Sequence, residues 1–396
     1  MMLMQDLETR RMLAATPTDY EQYQLELINR ARTNPSAEAA RLGINLNEGL
    51  AAGTISTAAK QPLAFNPDLI TSATGYSQTL LGAVNYFNHY YNNTTPQSRM
   101  SADGYRFTGS YTDGENIDVQ ASTDPLPVST SITNQEYQDL FIDSGESGRG
   151  HRINLMDGSF KEVGIGIVAG SNYLGLGGST AYNAVLTTQD FASSDADSDP
   201  FLTGVVFTDT ANTGFYAPGE GAGGVTIDAK RASDGTVFST TTWSSGGYSL
   251  EVPAGTYTVS ASGGGLSATV SHSDVVVGSL NVEEDFTTPP DTGTVKGLVF
   301  DDHNKDGIRE STDGGIAGVA IYLRRIKNGH GVGKELKADT NSKGDYTFAD
   351  LAPGTYQEHE AVPPGDILTA PPGGTFTFNV SAGQTRSGGE FGDHVG

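Results

Sequence analysis

The chain has 396 residues, more than one ordinary hydrophobic core accommodates, so about two to four domains are expected. Lys and Arg total 23 against 47 Asp and Glu, a net charge of -24, which excludes nucleic acid and anionic lipid as electrostatic partners and leaves cations, sugars or other proteins. With no cysteine, disulfides, thiolate metal sites and thiol nucleophiles are excluded, and any metal must be held by oxygen or imidazole.

The opening "MMLMQDLETRRMLAATP" has no long apolar core of the kind a signal peptide carries. Its Leu7, Glu8, Arg10, Arg11 and Leu13 are similar to the short "LE-x-RR-x-L" segment near the N-terminus of many large exported proteins of planctomycete-type bacteria. That resemblance implies a leader over residues 1–16 and an extracellular or cell-surface location. No apolar stretch approaches the length a membrane span needs, so the chain is not expected to cross a bilayer.

From Asp19 to about Leu42, Tyr23, Leu27, Ile28 and Ala31 recur at helical spacing, with Thr18 or Asp19 as cap and a break at Asn34-Pro35. A second helix is expected from Pro67 to about His89, burying Leu69, Ile70, Ala73, Tyr76, Leu80, Leu81 and Val84, and a third from Asn134 to Ile142. Strands follow at 162–170 and 181–191, each alternating in polarity. Helices followed by antiparallel strands predict an α-β-α sandwich, an α+β domain over residues 17–192.

Residues 193–202, centred on "SSDADSDP", read as a linker. Beyond it, "TGVVFTDTANTGFYAPGEGAGGVTIDA" from Thr203 aligns with "KGLVFDDHNKDGIRESTDGGIAGVAIYL" from Lys296, and "SSGGYSLEVPAGTYTV" from Ser244 with "SKGDYTFADLAPGTYQ" from Ser342. Two matching blocks in one order form an internal repeat of about 95 residues. Each unit is expected to be a small all-β sandwich, immunoglobulin-like or prealbumin-like, over residues 203–286 and 294–396, with a Pro-bearing linker at 287–293.

Only His89 and His151 of the seven histidines fall in the first domain. Two imidazoles near carboxylates suit a divalent ion such as zinc, or a His and a Glu can act as general base and acid. The run "NHYYNNTTPQSRMSADGYRFTGSYTDGENI" and the run "GHRINLMDGSFKEVGIGIV" resemble the two signature segments of the CAP superfamily, the cysteine-rich secretory, antigen 5 and pathogenesis-related proteins. "LELINRARTNPSAEAARLG" is similar to the first helix of its bacterial members. The resemblance implies a cleft with two His and two acids. Position by position, His89 and His151 match the histidines and Glu115 the first acid. For the fourth, "EYQDLFIDSGESGRGH" offers Asp143, Glu146 and Glu136. Asp143 is favoured because it follows Phe141 at the helix end, with Glu146 next.

No Gly-x-Ser-x-Gly and no cysteine supply a nucleophile. Hydrolysis, if it occurs, would use water activated by a metal or a carboxylate, with His89 and His151 on the cation and Glu115 orienting or deprotonating the water. Members of the superfamily are proteases, lipid or sterol binders, and signalling modules, so an extracellular ligand, lipid or polymer is the implied partner.

In the last unit, "DDHNKDGIRESTD" sets oxygen donors at Asp302, Asn304, Asp306, Glu310 and Asp313, with Gly307 for the turn and the Ile308 carbonyl between. This is the spacing of a calcium loop. The unit resembles the Sdr-type B repeats of bacterial surface adhesins through "GLVFDDHNKDG", "GIAGVAIYL" and "GDYTFADLAPGTY". The first unit keeps Asp209, Asn212 and Glu220 but has Thr213 opposite Asp306, which predicts a weaker calcium site. Two functions are therefore expected. One is an exported, monomeric surface protein with a working His/Glu cleft on calcium-stabilised spacers. The other is a non-enzymatic adhesin or matrix component with a vestigial cleft.

Overall fold

The computed structural model describes residues 15–196, 199–210, 213–288, 292–327, 329–381 and 383–395. The leader residues Leu7 to Leu13 and the Asn212 position lie outside the described residues. The chain divides into two compact units, the first ending at Thr288. No helix among the described residues is long and apolar enough to cross a membrane.

The first unit opens with α1 (Asp19–Thr33), whose N-terminus is closed by a reciprocal pair: Glu21 N donates to Thr18 Oγ1 and Thr18 N to Glu21 Oε2. Asn34 caps α2 (Pro35–Arg41), so the Asn-Pro break separates two helices. After β1 (Ala64–Phe65), Asn66 caps α3 (Pro67–Leu81). Then follow α4 (Pro96–Ala102), β2 (Tyr111–Ser122), α5 (Thr130–Ile142), α6 (Gly150–Met156), β3 (Glu162–Tyr173) and β4 (Tyr182–Ser194). The strands form one sheet in the order β1-β3-β4-β2, with β1 parallel to β3 and the other pairs antiparallel.

One face of the sheet packs on α1, α5 and the α6 region through Leu25, Ile28, Tyr137, Phe141, Val163, Ile165 and Phe191. The other carries α3. There the glycines of "EVGIGIV" have a steric reason: a Cβ on Gly164 would strike the backbone of Leu69 and Ile70, and one on Gly166 the backbone of Ala73 and Thr74. The helix axis can lie against the strand only because those side chains are missing. Ser77 Oγ, donating to the Gly166 carbonyl at 2.8 Å, pins the contact.

Two expectations need correction. The second helix stops at Leu81, with Gly82 as its cap, and Val84 is 61% exposed where the periodicity would bury it. His89 therefore sits in the loop beyond, not at a helix end. The third helix begins at Thr130, capped by Ser129, earlier than Asn134. The acidic segment "DGENI" lies on β2, a twelve-residue strand that hydrophobic alternation does not announce.

The first β domain comprises β5 (Phe201–Thr208), β6 (Val225–Arg231), β7 (Val237–Thr241), β8 (Gly247–Glu251), β9 (Gly255–Gly263), β10 (Val270–Val277), β11 (Val282–Glu283) and β12 (Phe286–Thr288). One sheet runs β10-β9-β6-β7; in the other, β5 pairs with β8, β11 and β12. The expected linker is shorter than 193–202, since β4 ends at Ser194 and β5 starts at Phe201. The two domains also pack together. Phe65 meets Trp243 edge to face at 6.1 Å, Tyr23 meets Phe215 at 6.1 Å, and Asn281 donates to the carbonyls of Pro62 and Lys161 at 3.0 and 2.7 Å.

The second unit contains β13 (Gly293–Asp301), β14 (Ala320–Lys327), β15 (His330–Asp339), β16 (Asp345–Leu351), β17 (Gly354–Ala361), β18 (Ile367–Ala370), β19 (Thr375–Val380) and β20 (Thr385–His394). Its sheets run β16-β13-β20-β18 and β15-β14-β17-β19. The internal repeat extends to single hydrogen bonds. Thr242 Oγ1 donates to Ala222 O as Thr340 Oγ1 does to Ile316 O, and Tyr257 OH donates to Pro253 O as Tyr356 OH does to Ala352 O. In both domains the first strand pairs in parallel with the last.

Gly166→Ala is expected to destabilise the first unit by about 1–3 kcal/mol in urea unfolding, because the added methyl meets helix backbone that cannot yield. Gly158→Ala, whose methyl would make only ordinary contact with Lys60, should stay within about 0.5 kcal/mol of the parent.

Candidate functional site

Three separate elements bring the candidate residues together. His89 comes from the loop after α3, Glu115 from β2, and His151 from the first turn of α6. The imidazole centroids of His89 and His151 are 6.2 Å apart. His89 Nδ1 lies 2.9 Å from Glu115 Oε1, and His151 Nδ1 lies 3.0 Å from Asp143 Oδ1. Both carboxylate side chains are nearly closed off, at 1% and 2% exposure, whereas the imidazoles remain 35% and 18% exposed. Solvent and ligands reach the rings, not the acids. With Nδ1–H directed at a carboxylate, each ring presents Nε2 as its remaining nitrogen.

Asp143 ends α5 in the left-handed region at φ 52. Its Oδ2 accepts from the backbone N–H of His151 at 3.0 Å and of Arg152 at 3.3 Å, while Oδ1 faces the His151 ring. One carboxylate thus joins α5 to the start of α6 and orients the imidazole. The other two acids of the segment lie elsewhere. Glu146 is exposed. Glu136 is buried, facing Asp118 and Thr187, where loss of water and the Asp118 charge push its carboxyl well above the usual range.

Glu115 has neither oxygen to spare. Oε1 faces His89, and Oε2 accepts from Arg99, whose guanidinium lies 3.4 Å over the Tyr76 ring and also donates to the His89 carbonyl at 3.1 Å. Glu115 is therefore built to hold His89 in place more than to take a proton from water. Arg99 belongs to the "PQSRM" run, but periodicity could not assign it a role because its partners come from β2 and from the loop of His89. Asp190 was also missed. It is the cross-strand partner of Glu115, fully buried, and loss of water followed by the Glu115 charge raises its carboxyl well above the normal value.

The remaining signature residues build the support. Arg152, 1% exposed, donates to the carbonyls of Phe141, Ile142, Leu46 and Glu48, clamping the end of α5 and the loop after α2 to α6. Asn154 donates to Asn116 Oδ1 at 2.9 Å and to the Glu115 carbonyl at 3.3 Å, and Asn116 donates to the His151 carbonyl at 3.2 Å. The "GHRIN" and "GEN" segments are thus two halves of one hydrogen-bonded frame.

In the second unit the loop after β13 folds back on itself. Asp302 Oδ2 accepts from Gly307 N at 2.8 Å, Asn304 Oδ1 from Asp306 N at 3.1 Å, and Asp306 Oδ1 from Ile308 N at 2.8 Å. Asp313 Oδ2 accepts from Glu310 N at 2.9 Å, and Gly307 adopts φ 75. Asp302 is buried, and although burial opposes its charge, the Thr369 hydroxyl and the loop's own N–H groups hold its carboxyl below the usual value, leaving an anion at the base of the loop. In the first β domain Asp209 instead accepts from Thr213 N and Gly214 N, and Glu220 from Thr210 and Ala217, so these oxygens are met by the protein's own donors.

Residues 25–191 match the Cysteine-rich secretory protein (CAP) family, residues 215–288 the Carboxypeptidase regulatory-like domain and residues 293–387 the SdrD B-like domain. The chain is a modular protein with an N-terminal CAP domain followed by two β-sandwich domains, the last of SdrD B-like type. Serine-aspartate repeat-containing protein F of Staphylococcus epidermidis is 30% identical over 204 residues, 46% of this chain and 11% of that protein. Serine-aspartate repeat-containing protein D of Staphylococcus aureus strain Newman is 28% identical over 188 residues, 43% of this chain and 14% of that protein. The match therefore spans a small fraction of these relatives. Among solved structures, the Bacillus anthracis TIE protein aligns at 15% identity and a TM-score of 0.32, covering 58% of this chain and 42% of that one.

Asp190→Asn should stabilise the CAP domain at neutral pH. A folded carboxyl raised above its unfolded value, about 3.9, contributes fully below that value and is lost as the pH rises toward the folded pKa. The variant escapes that loss, so thermal melts are expected to coincide near pH 3.5 and to diverge in its favour by at least about 1 kcal/mol at pH 8.

Proposed function

We propose that this chain is an extracellular, surface-associated protein whose CAP domain binds a divalent transition-metal ion of the zinc type through Nε2 of His89 and His151, and presents that site to an extracellular ligand. The observation that carries this reading is the pairing of both Nδ1 atoms with buried carboxylates while both rings stay partly exposed. A carboxylate behind an imidazole fixes its tautomer and raises its basicity toward a cation. The donor set, imidazole nitrogens without thiolate, fits a borderline cation. When bound, such a cation supplies Lewis acidity. This chain's own residues orient: Glu115 and Arg99 hold His89, while Asp143 and the Arg152 clamp hold His151. Binding is favoured over hydrolysis because Glu115, the acid that would activate water, is committed to His89 and Arg99. The surface location is supported by the Serine-aspartate repeat-containing relatives and the SdrD B-like domain.

Calorimetric titration of the full chain with zinc, in excess calcium to fill oxygen-only sites, should show saturable binding that His89→Ala with His151→Ala abolishes. Unchanged zinc binding in the double variant would overturn the metal site and leave the adhesive reading.

We further propose that the Asp302, Asn304, Asp306, Ile308, Glu310 and Asp313 loop holds calcium and stiffens the second unit, with Asp209 and Glu220 forming at most a weaker counterpart. The support is the buried, anionic carboxylate of Asp302 together with the turn at Gly307 and the oxygen donors that follow it. At a hundredfold excess over Kd, calcium would add about 2.7 kcal/mol, roughly 10 °C in Tm for a domain of this size. Calorimetric scans with and without EDTA check this; no shift, or an equal shift in Asp302→Asn with Asp306→Asn, would refute it.

A further inference from the structure

The loop between α3 and α4 carries more than His89. Its residues Tyr86, Tyr90, Asn92, Asn93, Thr94 and Thr95 line a recess of about 500 Å3, within the usual size of small-ligand pockets, about 300–1,000 Å3. No Lys, Arg, His, Asp or Glu contributes to that lining; its polar groups are phenols, amides, hydroxyls and main chain. The loop is held from within. Thr94 N donates to Tyr91 O at 2.8 Å, closing a tight reversal in which Asn92 and Asn93 take φ 47 and 65. Asparagine accepts that left-handed backbone more readily than most side chains. Thr94 Oγ1 accepts from Arg99 at 3.3 Å, the guanidinium that also donates to the His89 carbonyl, and Tyr91 meets Tyr86 edge to face at 5.2 Å. Tyr76 OH donates to the Asn88 carbonyl, and Asn88 Oδ1 accepts from Tyr90 N at 3.2 Å.

What this frame leaves over suits a neutral, hydroxyl-rich ligand. Tyr90 stays 60% exposed on a backbone that is fixed, and the side-chain amides of Asn92 and Asn93 make no hydrogen bond to the chain among the described residues. Each free amide offers two donors and an acceptor, so neighbouring amides can pair with neighbouring hydroxyls. Tyrosine supplies wide contact area at small entropic cost, and asparagine supplies adaptable hydrogen bonds. We propose that this recess is a saccharide subsite: the flat ring faces of a neutral oligosaccharide stack on Tyr90 and Tyr86, and its hydroxyls bond the amides of Asn92 and Asn93. A lining without charge gives an ionic ligand no counter-ion, and the net charge of -24 repels acidic sugars. A peptide fits less well, because Tyr91 and Thr94 form an isolated bridge within one turn, which leaves no strand edge for a peptide main chain to join. The subsite names the class of ligand that the reading of the cleft leaves open; it rests on that reading for its extracellular setting and requires no cation. Through Arg99 it shares an anchor with the loop segment that carries His89.

The test uses the full chain in calcium-containing buffer, treated with a zinc-selective chelator and then measured with and without added zinc. Chitotetraose and cellotetraose, neutral oligomers with flat β-linked rings, are titrated by calorimetry and by saturation-transfer NMR. Saturable binding of at least one of them is expected, equally with zinc and without it. Tyr90→Ala should weaken that binding about tenfold, whereas Tyr90→Phe, which keeps the ring, should stay within about twofold of the parent. Asn92→Gly with Asn93→Gly removes both amides yet preserves the turn, since glycine takes the same left-handed backbone; it should also weaken binding about tenfold, with an unchanged thermal melt. No saturable binding of either oligomer would overturn the proposal, as would equal binding in the Tyr90→Ala and Asn variants. Binding seen only with zinc would assign the sugar to the cation, and uptake of uncharged tetrapeptides in place of the oligomers would assign the recess to a protein partner; either result overturns it. Oligomer binding in a chain that takes up no zinc would remove the metal reading of the cleft and leave the saccharide subsite standing.

Discussion

A carboxylate withdrawn from water must be met by a positive charge, a proton or a fan of N–H groups, and in a chain with 47 acids and 23 Lys plus Arg that demand shapes nearly every feature of consequence. Glu38, within α2, shows it in simple form. Burial alone would raise its pKa, but Arg41 and Arg30 outweigh burial and hold it at about 2. The cleft applies the same rule with scarcer cations. Glu115 is answered by Arg99 and His89, and Asp143 by His151 and two backbone N–H groups. Since the acids are inside and the rings outside, neutralising the acids and orienting the imidazoles are one act.

The frame that makes this geometry is hydrogen-bonded more than hydrophobic. Arg152 gathers four carbonyls from one loop and one helix end, and Asn154 and Asn116 bind α6 to β2. Satisfying so many buried backbone carbonyls with one guanidinium leaves little freedom for the segment that carries His151. On the far side of the sheet, Gly164 and Gly166 set the depth at which α3 sits, and with it the start of the loop that carries His89. The β domains reuse one plan, down to the threonine and tyrosine hydroxyls that bond equivalent carbonyls. They differ in the loop after the first strand: Asp209 and Asp302 both accept the chain's own N–H groups, but only the second loop goes on to carry the further acids Asp306, Glu310 and Asp313.

Much of this was legible in the order of residues. Capping at Thr18, the Asn34-Pro35 break, the repeat and the strand after His151 are local, and local sterics and hydrogen bonding leave direct marks in sequence. The motif order also located His89, Glu115 and His151 and ranked Asp143 ahead of Glu146 and Glu136. Periodicity misled where tertiary contacts override it. Tyr76, Leu80, Leu81 and Val84 continue a helical stripe, yet Gly82 and the bridge from Val84 to Leu174 end the helix before His89. Strand β2 escaped notice because "YTDGENIDVQAS" is rich in polar residues whose partners lie on β4 and α6.

The sequence by itself determined the modules, their order, the absence of thiol chemistry and the acid-rich loop, because these follow from composition and from patterns within a few turns or strands. Only the tertiary structure decided that both oxygens of Glu115 are spoken for, that Arg99 and Asp190 stand behind it, and that Glu26 meets Glu283 and Asp285 across more than 250 residues of chain. Electrostatic partners are chosen by distance in space, and no periodicity along the chain records that distance.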